Sequence, residues 1–206
     1  APQQMLVVAQ VAVALALLLG AGLVTATLRE QLRVPLGFDA TRVTTGQVTL
    51  TGARYTLEAR VAFAQRLEAA LRTLPGATQA TVTDGLPFAG SMASILVREP
   101  DLTEQVRYYR HAVSPAFFET LGARFVSGRG FTGQERLDTP GVAIVSESGA
   151  RRLFPDGNAV GRTFRMGPRP TSEEVEIIGV VAEIRCRDLT AELGAARAEP
   201  DVFFSL

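Results

Sequence analysis

Two side chains of the kinds used for nucleophilic and acid–base chemistry stand out, His111 and Cys186, each the only residue of its type in the chain. His111 follows Tyr108-Tyr109-Arg110 on a β-prone run. To act as a general base it would need a carboxylate to fix its tautomer and a nucleophile within hydrogen-bond reach. The sequence places neither beside it, which favours a structural or surface histidine. Cys186 lies between Arg185 and Arg187, whose charges would lower a thiol pKa. Neighbouring residues of a strand point to opposite faces, however, so an incidental thiol is the favoured reading.

The remaining candidates are weaker. Glu173, Glu174 and Glu176 form an acidic cluster that could attract a cation, but they read as a solvated loop entering a strand. Gly128-Arg129-Gly130 and the Gly157–Gly161 stretch carry glycines without the lysine of a phosphate-cradling loop, and the chain contains no lysine at all. Nucleoside triphosphate binding is therefore excluded from this chain. A lone cysteine makes no internal disulfide, and one cysteine with one histidine gives no zinc set. Phe117-Phe118 belongs with Leu121 on a short helix, as core rather than as a ligand box. No catalytic, cofactor or metal site is assigned, and the chain reads as a non-enzyme.

Stepping from side chains to the elements that must hold them, 206 residues with 47% hydrophobic and 20% charged residues specify a folded chain. The 21 basic residues, all arginine, balance 21 acidic ones, so no net field draws nucleic acid or anionic lipid. The charges are unevenly placed: none precedes Arg29. Met5 to Leu28 is apolar apart from Gln10, Gly20, Gly22, Thr25 and Thr27. At ~1.5 Å per residue it spans roughly 36 Å, against a hydrocarbon core of about 30 Å. This predicts a transmembrane helix over 5–28. A signal peptide fits less well, since the start Ala1-Pro2-Gln3-Gln4 is not basic and the apolar run is too long. A buried core helix is the other alternative, but 24 residues with no charge on any face would be unusual in a soluble domain of this size. Ala12, Ala16 and Gly20 make a small-residue stripe, and Gln10 would prefer a polar partner in lipid, both compatible with a partner helix. Arg29 and Arg33 would place the following domain in the cytoplasm by the positive-inside rule. Glu30 lies between them and the chain begins with Ala, as a piece of a longer one would, so charge does not set the orientation.

From Val34 the pattern is that of a mixed α/β domain. Val43 to Thr51 is Thr/Val-rich and strand-like. Leu57 to Leu74 has helical periodicity in Phe63, Leu67, Ala70, Leu71 and Leu74, which predicts one buried face, and Pro75-Gly76 stops it. Ala77 to Thr83 returns as a β-prone segment, making a strand, helix, strand unit with parallel strands. Asp84-Gly85 and Pro87 mark a break, and Asp84 to Gly90 is the hinge candidate. Strands are expected over Ser94–Arg98, Gln105–Val113, Val142–Val145 and Val175–Ile184, with another near the end of the chain. Pro115 to Leu121 reads as a helix capped by Ser114 and ended by Gly122. Ser146 caps a second helix that runs to Phe154 before Pro155-Asp156-Gly157.

Six stretches together resemble the MacB-like periplasmic core domain of FtsX-like ABC transporter permeases, particularly the duplicated orphan type. They are VVAQVAVALALLLGAGL (Val7 to Leu23), LGFDATRV (Leu36 to Val43), ARVAFAQRLEAALRTLPGA (Ala59 to Ala77), VSPAFFETLGARFVSGRGF (Val113 to Phe131), VAIVSESGARRLFPDGNAVGRTFRMG (Val142 to Gly167) and EIIGVVAEIR (Glu176 to Arg185). Their ordered co-occurrence over nearly the whole chain is far more specific than any one alone. The resemblance implies an α+β protein: a first transmembrane helix, then a two-lobed extracytoplasmic domain spanning 34–206. In that scheme 43–83 and 175–206 share a sheet in the membrane-proximal lobe, and 88–167 forms an inserted second lobe. It also implies that the domain is truncated at its C-terminus, with three further helices downstream.

Functionally the resemblance implies a permease that couples cytoplasmic ATP hydrolysis to conformational work or export at the bacterial cell envelope. Its partners would be a separate ABC ATPase subunit, a second copy or pseudo-symmetric half through the membrane helices, membrane lipid and a periplasmic protein. A singly anchored sensor or accessory domain is the alternative class. A membrane-anchored hydrolase would need a convergent polar site.

Overall fold

The computed structural model describes residues 2–33, 36–52, 55–85, 93–98, 105–135, 141–167, 173–184 and 200–206. Its contacts divide the chain into Ala1–Pro35 and Leu36–Leu206.

The first unit is helix α1 (Pro2–Arg33). Its part Pro2–Arg29 is long and apolar enough to cross a membrane and encloses the expected 5–28 span. The helix passes unbroken through Gly20 and Gly22. The two hydroxyls that interrupt the apolar run are satisfied internally, Thr25 donating to Ala21 O at 2.8 Å and Thr27 to Leu23 O at 3.0 Å. In hydrocarbon a helix must meet all such groups from within itself or from a neighbour.

The second unit contains α2 (Leu57–Leu71), β1 (Ser94–Arg98), β2 (Gln105–Val113), α3 (Phe117–Leu121), β3 (Phe125–Gly128) and β4 (Gly141–Ser146). These are followed by α4 (Glu147–Leu153), β5 (Thr163–Met166), β6 (Glu174–Val181) and β7 (Asp201–Ser205). The seven strands form one sheet in the order β3-β6-β4-β7-β2-β1-β5, and β5 also pairs with β6. The strands β6, β4, β7, β2, β1 and β5 therefore close into a ring, and β3 pairs with β6 along the same edge as β5, at its other end. The β2–β7 and β4–β6 pairs are parallel and the others antiparallel. Closure leaves few unpaired backbone groups at sheet edges, where strands otherwise invite aggregation.

Two apolar clusters line the two sides of the ring. Val97, Tyr108, Val145, Phe164, Ile177 and Val202 come from β1, β2, β4, β5, β6 and β7, one from every ring strand, and so lie inside it. Ala150 and Leu153 of α4 join them, with Phe154 just beyond. Val113, Ile144, Val181 and Phe203 face the other way and pack with Phe117, Phe118 and Leu121 of α3. A register shift in the β4–β6 ladder between Ala143 and Ile144 lets Ile177 and Val180 share the inner side while Ile178 and Val181 share the outer. Each fully buried aliphatic or aromatic side chain contributes about 1.5–3 kcal/mol.

Several local expectations are met. β1 and β2 have the predicted bounds, and β4 extends the expected strand by one residue at each end. Ser146 caps α4 by accepting from Gly149 N at 3.3 Å. Others are corrected. The run 43–51 joins no ladder among the described residues, and Ala77 to Thr83 contributes one antiparallel bridge, Thr83 to Val113. No parallel strand, helix, strand unit forms there: β propensity marks a surface able to pair, and pairing needs a partner. The expected sheet shared by 43–83 and 175–206 is replaced by a ring that joins β6 and β7 to strands of the 88–167 segment. α2 buries only Ala64, with Phe63, Leu67 and Leu71 half-buried. α3 begins at Phe117 rather than Pro115 and has no side-chain cap, because the Ser114 hydroxyl is engaged with Thr81 and Val82. β3 and β5 were not anticipated.

Candidate functional site

The parallel pairing of β2 with β7 sets Tyr109 opposite Asp201 and His111 opposite Phe203. Residues two apart on a strand share a face, so Asp201 and His111 meet diagonally. His111 Nε2 and Asp201 Oδ1 lie 2.9 Å apart, at 3% and 2% residue exposure. The imidazole stacks on Phe203 with ring centroids 4.8 Å apart, and Asp201 N donates to Ser146 Oγ at 3.2 Å. The histidine thus has the carboxylate partner that an acid–base role requires, contrary to the sequence expectation.

The nearby hydroxyls are engaged elsewhere: Ser114 Oγ with Thr81 Oγ1 at 2.8 Å and Val82 N at 3.2 Å, and Ser146 Oγ with Gly149 N, Ser148 and Asp201 N. Both side chains are almost fully covered. What the geometry provides is a polar pin between β2 and β7 within apolar packing. Sequence alone could not reveal it, since 90 residues separate the partners and nothing local specifies that β7 lies beside β2.

A second polar centre was also missed. Glu135 Oε1 and Oε2 accept from Thr132 N, from Thr132 Oγ1 at 3.0 Å, from Gly133 N at 2.9 Å and from Arg129 Nη1 at 2.9 Å. Burial alone would raise its pKa. The Arg129 guanidinium, then backbone N–H groups and the Thr132 hydroxyl outweigh that and hold it at about 2. Arg129 of the candidate loop 128–130 is engaged in this way with Glu135. Gly128 and Gly179 are opposite each other in the antiparallel β3–β6 ladder, and a Cβ on Gly179 would fall 2.3 Å from Arg129 O. The glycines serve close backbone approach.

The other candidates separate rather than converge. Glu174 accepts from Arg165 Nη2 at 2.6 Å, and Glu173, Glu174 and Glu176 are all exposed. Among the described residues no three acidic, histidine or cysteine side chains are grouped to hold a metal ion. In the 157–161 stretch, Gly161 N donates to Ile177 O at 2.8 Å, so this loop is tied to β6. Phe117 and Phe118 are core, at 4% and 2% exposure. Cys186 lies outside the described residues, as does 86–90 of the hinge candidate. Its Asp84 is fastened to β2, accepting from Ala112 N at 2.8 Å and from Arg110 Nη1 at 3.0 Å.

An apolar helix long enough to cross a membrane is followed by a mixed α/β domain built on a closed sheet. The chain belongs to the MacB-like periplasmic core domain family, which matches residues 5–206; it is a membrane protein with a periplasmic domain. It is 29% identical over 91 residues to the macrolide export ATP-binding/permease protein MacB of Mannheimia succiniciproducens, covering 44% of this chain and 12% of that protein. Among solved structures it is similar to the periplasmic region of MacB from Actinobacillus actinomycetemcomitans. There the identity is 14% and the TM-score 0.47, over 70% of this chain and 54% of that one. It is also similar to the extracellular domain of the noncanonic ABC-type transporter YknZ from Gram-positive bacteria. The identity is 17% and the TM-score 0.47, over 69% and 62% of the two chains. The chain thus spans a small part of the curated relative and just over half of these solved domains.

Proposed function

We propose that this chain is the first membrane helix and extracytoplasmic domain of an ABC transporter permease, in which ATP hydrolysis on the cytoplasmic side drives conformational work or export at the cell envelope. The observation that carries this reading is the family match over 5–206, which takes in the apolar helix and the domain together. The curated relative, by its name an ATP-binding/permease protein for macrolide export, supports the same class. On this reading the chain itself does no covalent chemistry. Its ATPase is a separate subunit, a second copy or pseudo-symmetric half joins it through membrane helices, and a periplasmic protein receives the motion. The membrane is the bacterial cytoplasmic membrane.

The test is to read the open reading frame around this segment and to fuse alkaline phosphatase after Leu206 in cells. The proposal expects two or three further apolar segments of about 20 residues each downstream, and an active phosphatase fusion. A stop codon with no further span would make the protein a singly anchored sensor or accessory domain. An inactive fusion whose fluorescent-protein counterpart is bright would place the domain in the cytoplasm.

A further inference from the structure

The second unit begins at Leu36, and its first stretch, 36–43, is a strap fastened to the rest of that unit. Phe38 and Val43 pack against the outer cluster that holds Phe117, Phe118, Leu121 and Phe203. Asp39 N donates to Leu121 O at 3.2 Å, and the Asp39 carboxylate turns the chain by accepting from Thr41 N at 3.0 Å and Thr41 Oγ1 at 2.6 Å. Leu121 O is among the last carbonyls of α3, which have no partner within the helix, so the strap closes that helix end. Gly37 lies against main chain: its φ is +80°, and a Cβ there would fall 1.9 Å from Glu183 O and 3.2 Å from Ile184 Cα. Only glycine meets both the conformation and the approach.

Glu183 carries this contact further. Its carbonyl meets Gly37, and its carboxylate reaches α4, where Oε1 accepts from Ser148 N at 2.5 Å. Ser148 N is one of the N–H groups at the start of α4 that lack a partner within the helix, and the Ser146 cap takes the next one, Gly149 N. α4 in turn seats Ala150 and Leu153 in the inner cluster. A single residue thus touches the strap with its main chain and holds α4 with its side chain.

We propose that Glu183 is a positioning residue that couples the strap 36–43 to α4, so that a displacement of the strap shifts the seat of α4 on the sheet. Elements joined through one shared group respond together, and substitutions along the join are non-additive. The coupling rests on the fold. On the permease reading it is also the route by which a displacement of α1, which precedes the strap in the chain, enters the domain.

Hydrogen exchange followed by mass spectrometry on the whole chain in detergent micelles, run as a double-mutant cycle, tests it. Glu183→Ala is expected to speed exchange over 147–153 by ~5-fold, the size of a lost helix cap. Glu183→Gln, which keeps the acceptor, is expected to stay within ~2-fold of the unsubstituted chain. Gly37→Ala should speed the same amides by ~5-fold when Glu183 is present and by less than ~2-fold when it is alanine, with β1 and β2 unchanged in both. Phe38→Ala, which loosens the strap without forcing its main chain, should behave in the same way, and it decides the matter if Gly37→Ala does not fold. Unchanged exchange over 147–153 in the strap variants, or effects that simply multiply with that of Glu183→Ala, would overturn the coupling. Either result leaves the permease reading to be decided by the reading frame and the phosphatase fusion.

Discussion

At the scale of single residues, polar side chains here act on stability. Glu135 is the clearest case, a carboxylate with 8% side-chain exposure receiving backbone, hydroxyl and guanidinium donors within its own loop. Its folded pKa of about 2 lies below the ordinary value of 4.5. A depressed carboxylate pKa gives stability that is fully present above the unfolded value and is lost as pH falls through the folded one. The window is therefore about pH 4.5 down to about 2, and the contribution is roughly 2–3 kcal/mol. Glu135→Gln should lower the unfolding free energy measured by urea titration at pH 7 by that order and flatten the stability profile across this window. An unchanged slope between pH 4.5 and 2 would assign the acid sensitivity to other carboxylates. His111 and Asp201 show the limit of sequence reading at this scale: the chemistry of each was visible, and their encounter was not, because it depends on which strands become neighbours.

At the scale of elements, the parts legible in the sequence are those whose signal is local. β1, β2, β4 and α4 carry apolar runs bounded by breakers, and Ser146 supplies its own cap. β3 and β5 each have four residues, and β3 is exposed along most of its length, so neither shows a period long enough to read. The run 43–51 fails in the opposite direction, having the composition of a strand without a partner among the described residues. β5 nevertheless closes the ring, because it alone pairs with both β1 and β6. Its Phe164 is 2% exposed within the inner cluster. Phe164→Ala removes that anchor and leaves a cavity, at a cost of about 3–5 kcal/mol. Exchange protection is expected to fall first in β5 and β1, at the closure, while the β4–β6 and β4–β7 ladders hold. Uniform loss over all strands would mean that the ring has no preferred point of opening.

At the scale of the whole molecule, the two units place their apolar surface differently. Among the described residues, the large exposed apolar side chains lie on α1, apart from Val48, Leu57, Leu74, Leu96 and Val126 in the second unit. Five scattered residues are ordinary for a protein in water, whereas a continuous apolar helix surface requires lipid or another helix. The second unit also holds both buried clusters within its own residues. A chain beginning at Leu36 should therefore remain soluble and monodisperse without detergent, with an unfolding midpoint close to that of the same domain in the whole chain. The whole chain should partition into the detergent phase. Size-exclusion chromatography with thermal unfolding followed by circular dichroism measures both. Aggregation of the shortened chain would show that α1, or the segment that follows it, covers apolar surface on the domain. A cooperative, soluble product would assign the membrane requirement to α1 and make the second unit a body that folds independently of it.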